Sequence, residues 1–228
     1  MTDVPGGGDT PLEHSLMNRM LQVRKTIIAT HVAKESIIME NSIITSSTGL
    51  YRPQGTRILY INGPITEDLA CMFNLTLLEL EAESASQNIT VYINSPGGSV
   101  PAGLSMIDTM DIIRCDVRTV CLGMAASMGA WILMCGAKGK RFALPHSCVM
   151  LHQPLSGTGR SGLSQASDLK LLSDEMIRLK TELFNMVVER TGRTFADVER
   201  DCDRDFYMSS EKALEYGIID EILRPHKG

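Results

Sequence analysis

A chain of 228 residues, 43% of them hydrophobic, can bury one substantial core and is of ordinary length for a single domain with an appendage. Its 22 Lys+Arg and 27 Asp+Glu, a formal charge of -5, are spread along the sequence without the basic stripe that neutralises phosphates, which argues against nucleic-acid binding. No apolar run approaches the roughly 20 residues that cross a bilayer, and the start MTDVPGGGDT is neither a basic-then-apolar secretion signal nor an Arg-rich transit peptide. A soluble, intracellular protein is expected, in a bacterial cytoplasm or, as the other option, an organelle. The six cysteines contain no C-x-x-C and sit mostly in apolar surroundings, so they read as reduced core residues, with no metal site and no disulfide frame.

Residues 1–55 form an N-terminal segment whose SLMNRMLQVRKTII reads as an amphipathic helix running into a strand and whose ESIIMENSIITSS reads as a strand pair, closed by the turn YRPQG. From 56 to 228 the pattern becomes regular. YINGP (Tyr60 to Pro64) returns as YINSP (Tyr92 to Pro96), and the same rhythm of a β-branched run and a small-residue turn continues at VCLG (Val120 to Gly123) and CVMLH (Cys148 to His152). Units of about 30 residues, each a buried strand feeding a helix, predict an α/β domain. Periodicity does not choose between a doubly wound sheet and a spiral of β-α turns. Leu69, Met72, Phe73, Thr76, Leu77 and Leu80 mark the core face of the first helix. Ahead of the last long helix, SGTGRSGLSQ reads as a mobile or edge segment. The helix itself, Ser164 to Thr191, carries Leu169, Leu172, Met176, Leu179, Leu183 and Met186 in alternating steps of three and four. That narrow seam suits either a helical partner or the helix's own domain.

Ser127 in GMAASMGAW is set among small residues where a strand turns sharply into a helix, as an exposed nucleophile requires; close packing of the two elements is the competing reading, since the pattern is A-x-S-x-G and not G-x-S-x-G. A serine needs a base, and His152 and His146 flank one apolar strand, with Lys138 and Lys140 as a lysine alternative. The base needs a carboxylate to fix its tautomer, and ERDCDRDF offers Asp201, Asp203 and Asp205 without the spacing singling one out. Backbone donors for an oxyanion are available in NSPGGSV, where Gly97 and Gly98 precede a helix. Dinucleotide binding is excluded by the absence of G-x-G-x-x-G. Met124, Met128, Met134 and Met150 read either as the lining of a permissive apolar pocket or as core filler.

NSPGGSVPAGLSMIDTM, GMAASMGAWIL, MLHQPLSG and ERDCDRDFYMSSEKALEYGIID, in that order, closely resemble the ClpP family, the proteolytic subunit of the ATP-dependent Clp protease, from about Arg57 to Leu223. The resemblance implies a serine endopeptidase with Ser127 as nucleophile, His152 as general base, Asp205 as orienting carboxylate, and Gly98 and Met128 as the amide donors of the oxyanion hole. It implies the ClpP/crotonase-like spiral of β-β-α repeats with a protruding handle, here about 153–191, through which two seven-membered rings stack into a tetradecamer. Self-association, with or without a paralogous subunit, and an AAA+ unfoldase such as ClpX, ClpA or ClpC would complete the machine. The chain itself needs no cofactor, because ATP belongs to the unfoldase, which would feed in unfolded polypeptides. The rival readings are a ring subunit that does not cut, and an acyl-CoA enzyme of the crotonase fold, which should not need Ser127, His152 and Asp205 together.

Overall fold

The computed structural model describes residues 44–45, 48–155 and 166–224. Most of the segment read as an N-terminal helix and strand pair, and the SGTGRSGLSQ run, lie outside them. Nine strands form one sheet among the described residues, and six helices pack around it. The strands are β1 (Ile44–Thr45), β2 (Leu50–Arg52), β3 (Ile58–Asn62), β4 (Ile89–Ser95), β5 (Val117–Ala126), β6 (Arg141–Ala143), β7 (Cys148–Leu151), β8 (Phe206–Ser209) and β9 (Glu221–Ile222). The helices are α1 (Glu67–Glu83), α2 (Val100–Ile112), α3 (Met128–Met134), α4 (Ala166–Thr191), α5 (Phe195–Asp201) and α6 (Ser210–Tyr216).

The two Tyr-Ile-Asn repeats become neighbouring parallel strands in register, Tyr60 beside Tyr92 and Asn62 beside Asn94, so a repeat in sequence becomes a repeat in space. The tyrosine rings stack at 4.9 Å and Asn94 donates to Asn62 at 2.8 Å. Parallel pairing continues from β4 to β5, β6 and β9, while β1 and β2 join antiparallel beyond β3. The sheet therefore reaches back past residue 55, and Leu50 belongs to the core.

Strand β5 changes partners along its length. Thr119 to Cys121 pair with β6, whereas Met124 to Ala126 pair with β7. Between them Leu122, Gly123 and Met124 oppose the single residue Asn94, because the register steps from Ile93↔Cys121 to Ser95↔Ala125. A bulge of this kind bends a strand and re-aims the residues beyond it. Gly123 supplies the turn, with φ 90. The end of the redirected strand leads directly into Ser127.

Helix α1 buries the apolar face read from its spacing, with Leu69, Phe73, Thr76, Leu77 and Leu80 inside and Met72 half-buried. Thr66 caps it, accepting from the Leu69 amide at 3.2 Å. Helix α3 is buried on every side, as its unbroken apolar run GAWILM requires, and the Trp131 indole N–H donates to the Leu183 carbonyl on α4 at 3.1 Å. The seam packs on the helix's own domain along the C-terminal half of α4 and faces solvent along the N-terminal half. Leu183, Phe184 and Val187 sit in the core, while Leu169 is 58% and Leu172 51% exposed.

Candidate active site

β5 and β7 run parallel and β8 runs antiparallel to β7, so the C-terminal ends of the first two and the N-terminal start of the third lie on one side of the sheet. Ser127 comes directly after β5, His152 comes directly after β7 and Asp205 precedes β8. The last ladder pair of β7 and β8 is Leu151↔Phe206, which makes His152 and Asp205 the next residues on facing strands. The Ser127 amide donates to the Met150 carbonyl at 2.9 Å, locking the serine two residues from His152 along the neighbouring strand. Three distant segments thus meet at one end of three adjacent strands.

Ser127 is the one residue other than glycine with positive φ among the described residues, at φ 48 and ψ -132. Such a conformation costs on the order of 1–3 kcal/mol and persists where the surroundings enforce it. Here the enforcement is the sharp passage from β5 into α3, which leaves the side chain half-buried at the sheet end. The close packing read from the small residues is present: Gly129 faces Ser95 so closely that a Cβ there would lie 3.2 Å from the Ser95 Cβ.

The turn Gly97-Gly98 lies directly on this serine. A Cβ on Gly97 would lie 2.5 Å from the Ser127 Cβ, 2.8 Å from the Ala126 carbonyl oxygen and 3.0 Å from the Met128 nitrogen, and φ is +94 there, in the region that favours glycine. On the other side the turn is gripped by Ile65, whose amide donates to the Gly97 carbonyl at 2.8 Å and whose carbonyl accepts from Ser99 at 2.9 Å. The Gly97 amide is taken by the buried Ser95 hydroxyl at 3.1 Å. The amides of Gly98 and Met128 are left without an acceptor among the described residues. Two free donors beside a serine hydroxyl can stabilise a developing oxyanion. Ile65 and Ser95 went unnoticed in the sequence; aligning the Asn-Gly-Pro and Asn-Ser-Pro turns sets Ile65 opposite Gly97, the contact that holds the turn.

Gly97→Ala should therefore cost both fold and activity. Its methyl has no room and its backbone no comfortable conformation, so thermal unfolding should come several degrees earlier and peptide hydrolysis should be lost; a variant that cuts at the normal rate would show that the turn does not touch the reacting centre.

The candidates that spacing left level have different surroundings. Asp201 is engaged by the Tyr216 hydroxyl at 3.1 Å and by Arg200 at 3.0 Å, and Asp203 by the Gln153 amide and Arg204. Asp205 is exposed and has no hydrogen bond or ion pair among the described residues. His146 lies at the opposite end of β7 from His152, six residues and on the order of 20 Å away along an extended chain. Both lysines are remote as well: Lys140 pairs with Asp116 at 2.7 Å and Ala137 donates to the Val117 carbonyl, which is the far end of β5 from Ser127. No hydrogen bond joins Ser127, His152 and Asp205 to one another among the described residues. Catalytic contacts in unliganded enzymes are often long and tighten around the reacting substrate.

The chain matches the family model described as Clp protease over residues 39–226. It belongs to the Clp protease family. Its mixed α/β architecture is that of the ClpP fold, and the chain carries a ClpP-type protease domain. No helix among the described residues of this Clp protease is long and apolar enough to cross a membrane.

Of the two readings of the methionines, burial favours core filler for three of the four. Met128, Met134 and Met150 are core residues, Met128 resting on Gly103 of α2, and Met124 alone of the four is exposed. All six cysteines are free, and burial pushes the thiols of Cys121, Cys135 and Cys202 up to about 12, leaving them unreactive at neutral pH; Cys71 is exposed on α1. The Tyr-Ile-Asn repeats line a cavity of about 310 Å³ with Tyr51, Pro53, Tyr60, Tyr92 and Leu122.

Proposed function

We propose that this Clp protease is an active serine endopeptidase, with Ser127 as nucleophile, His152 as general base and Asp205 as the carboxylate that orients it. The observation that carries the reading is the strained backbone of Ser127 at the strand-to-helix turn, with His152 and Asp205 at the same end of the two next strands. His152 takes the hydroxyl proton as Ser127 Oγ adds to the scissile carbonyl, and the oxygen that becomes negative is held by the Gly98 and Met128 amides. Collapse of the adduct breaks the C–N bond, His152 returns the proton to the leaving amine, and water then releases the acyl group by the same route. This chemistry needs no cofactor from the chain.

The assembly reading is part of the same proposal. The exposed N-terminal half of α4 is the handle that meets its counterpart in a facing ring, two heptamers forming a tetradecamer alone or with a paralogous subunit. An AAA+ unfoldase of the ClpX, ClpA or ClpC kind supplies unfolded polypeptide and consumes the ATP, and the aromatic cavity beside Leu122 is of a size to take an apolar anchor from such a partner. A cytoplasmic location suits these partners.

Labelling with a fluorophosphonate and mapping the adduct tests the catalytic half. Modification of Ser127 is expected; an unlabelled protein in fully assembled particles would leave the non-cutting ring subunit as the better description. The stacking half is tested at Leu169 and Leu172, which face solvent in the subunit. Leu183 lies in the subunit's own core, so a charge there tests the fold instead. Leu169→Glu with Leu172→Glu should leave the subunit folded but reduce double rings to single rings in sedimentation, because burying each charge against an apolar partner costs several kcal/mol. A particle of unchanged mass would remove the handle from the interface.

A further inference from the structure

Past the pair Leu151↔Phe206 no ladder contact holds His152 against Asp205, and Asp205 is exposed, so packing does not hold it either. The two strands are nevertheless tied together again one residue further on. The Gln153 backbone amide donates to the Cys202 carbonyl at 2.8 Å, and its side-chain Nε2 donates to the Asp203 carbonyl at 3.0 Å and approaches Asp203 Oδ1 at 3.4 Å. His152 on one strand and Arg204-Asp205 on the other are thereby enclosed between a ladder pair below and a clasp above. Cutting the side-chain half of that clasp frees the peptide at Asp203, two residues before the carboxylate, while the backbone half stays in place.

We propose that Gln153 is a positioning residue that acts through Asp205, by fixing the 202–205 turn so that the carboxylate stays opposite His152. The proposal rests on the assignment of Asp205 as the orienting carboxylate. Asp203 and Gln153 then serve the reaction without touching substrate, Asp203 chiefly through its backbone carbonyl.

Gln153→Ala and Gln153→Glu, the second keeping the length but losing the donor, should each lower kcat for a short peptide by about tenfold or more, in line with the sensitivity of catalysis to ångström displacements, and leave KM within about twofold. Rates are taken on particles of unchanged sedimentation, the Glu variant carrying the test where the Ala variant does not assemble. A residue that works through Asp205 has nothing left to do once the carboxylate is gone, so adding either substitution to Asp205→Asn should cause no further loss. A wild-type kcat in the single variants, or the same fractional loss in both backgrounds, overturns the proposal. A wild-type rate in Asp205→Asn alone overturns instead the assignment on which it rests, and that outcome is read without Gln153.

Discussion

Ser127→Ala should abolish peptide hydrolysis, by about 10⁶ in kcat if this serine acts as other triad nucleophiles do, and leave the fold intact. Only one oxygen is removed, from a site whose neighbours Ala125, Ala126, Gly129 and Ala130 are already small and mostly buried. The left-handed backbone at this residue is as uncomfortable for alanine as for serine, so the melting temperature should stay within a few degrees of the parent's. Hydrolysis of a fluorogenic peptide together with a thermal melt separates the two effects. Retained hydrolysis in a folded variant would mean that the strain at Ser127 serves the packing of α3 and that another group cuts.

The second large effect is expected at Asp205. Changing it to asparagine keeps size and shape but removes the charge that supports a protonated imidazole, and in serine triads that costs on the order of 10⁴ in turnover. The same change at Asp203 should cost much less, since the Gln153 contact at 3.0 Å is made to its backbone carbonyl. Asp201→Asn should act on stability through Tyr216 and Arg200. Peptide hydrolysis across the three variants ranks the carboxylates. A dead Asp203→Asn beside an active Asp205→Asn would reverse the assignment.

The fold was legible wherever a local pattern implies a local structure. The Tyr-Ile-Asn repeat announced two equivalent β-α units, and the spacing from Leu69 to Leu80 announced the buried face of α1. The catalytic candidates were legible as residue types, and their meeting was not, because it depends on which strands pair. That β7 lies between β5 and β8, with Leu151 opposite Phe206, is a long-range fact with no trace in the sequence around His152 or Asp205. Resemblance to a family selected Asp205 from three aspartates; in the structure Asp201 and Asp203 have hydrogen-bond partners and Asp205 is exposed. The methionines stood open between pocket lining and core filler. Their proximity to Ser127 in sequence is real, but alternation along β7 and burial all round α3 turn Met128, Met134 and Met150 inward. On α4 a single seam concealed a change of environment midway along the helix, since a leucine repeat looks the same whether it is answered by the subunit's own core or by nothing within it.

The partner switch of β5 divides the sheet into two cooperative pieces of unequal size. The larger is built on β3, β4, β6 and β9 together with β5, whose Ala125 still pairs with Ser95 of β4; the smaller consists of β7 and β8. The proposed base His152 and the proposed carboxylate Asp205 both ride on the smaller piece, which meets the larger one along the ladder of Met124 to Ala126 against Cys148 to Met150 and through hydrogen bonds from the Ser127 amide to the Met150 carbonyl and from the Ser147 hydroxyl to the Cys121 carbonyl. Sub-global opening runs along such seams. A fluctuation that parted β7 from β5 would carry the proposed base and carboxylate away together and leave Ser127 behind, at the expense of the core contacts of the buried Val149 and Leu151.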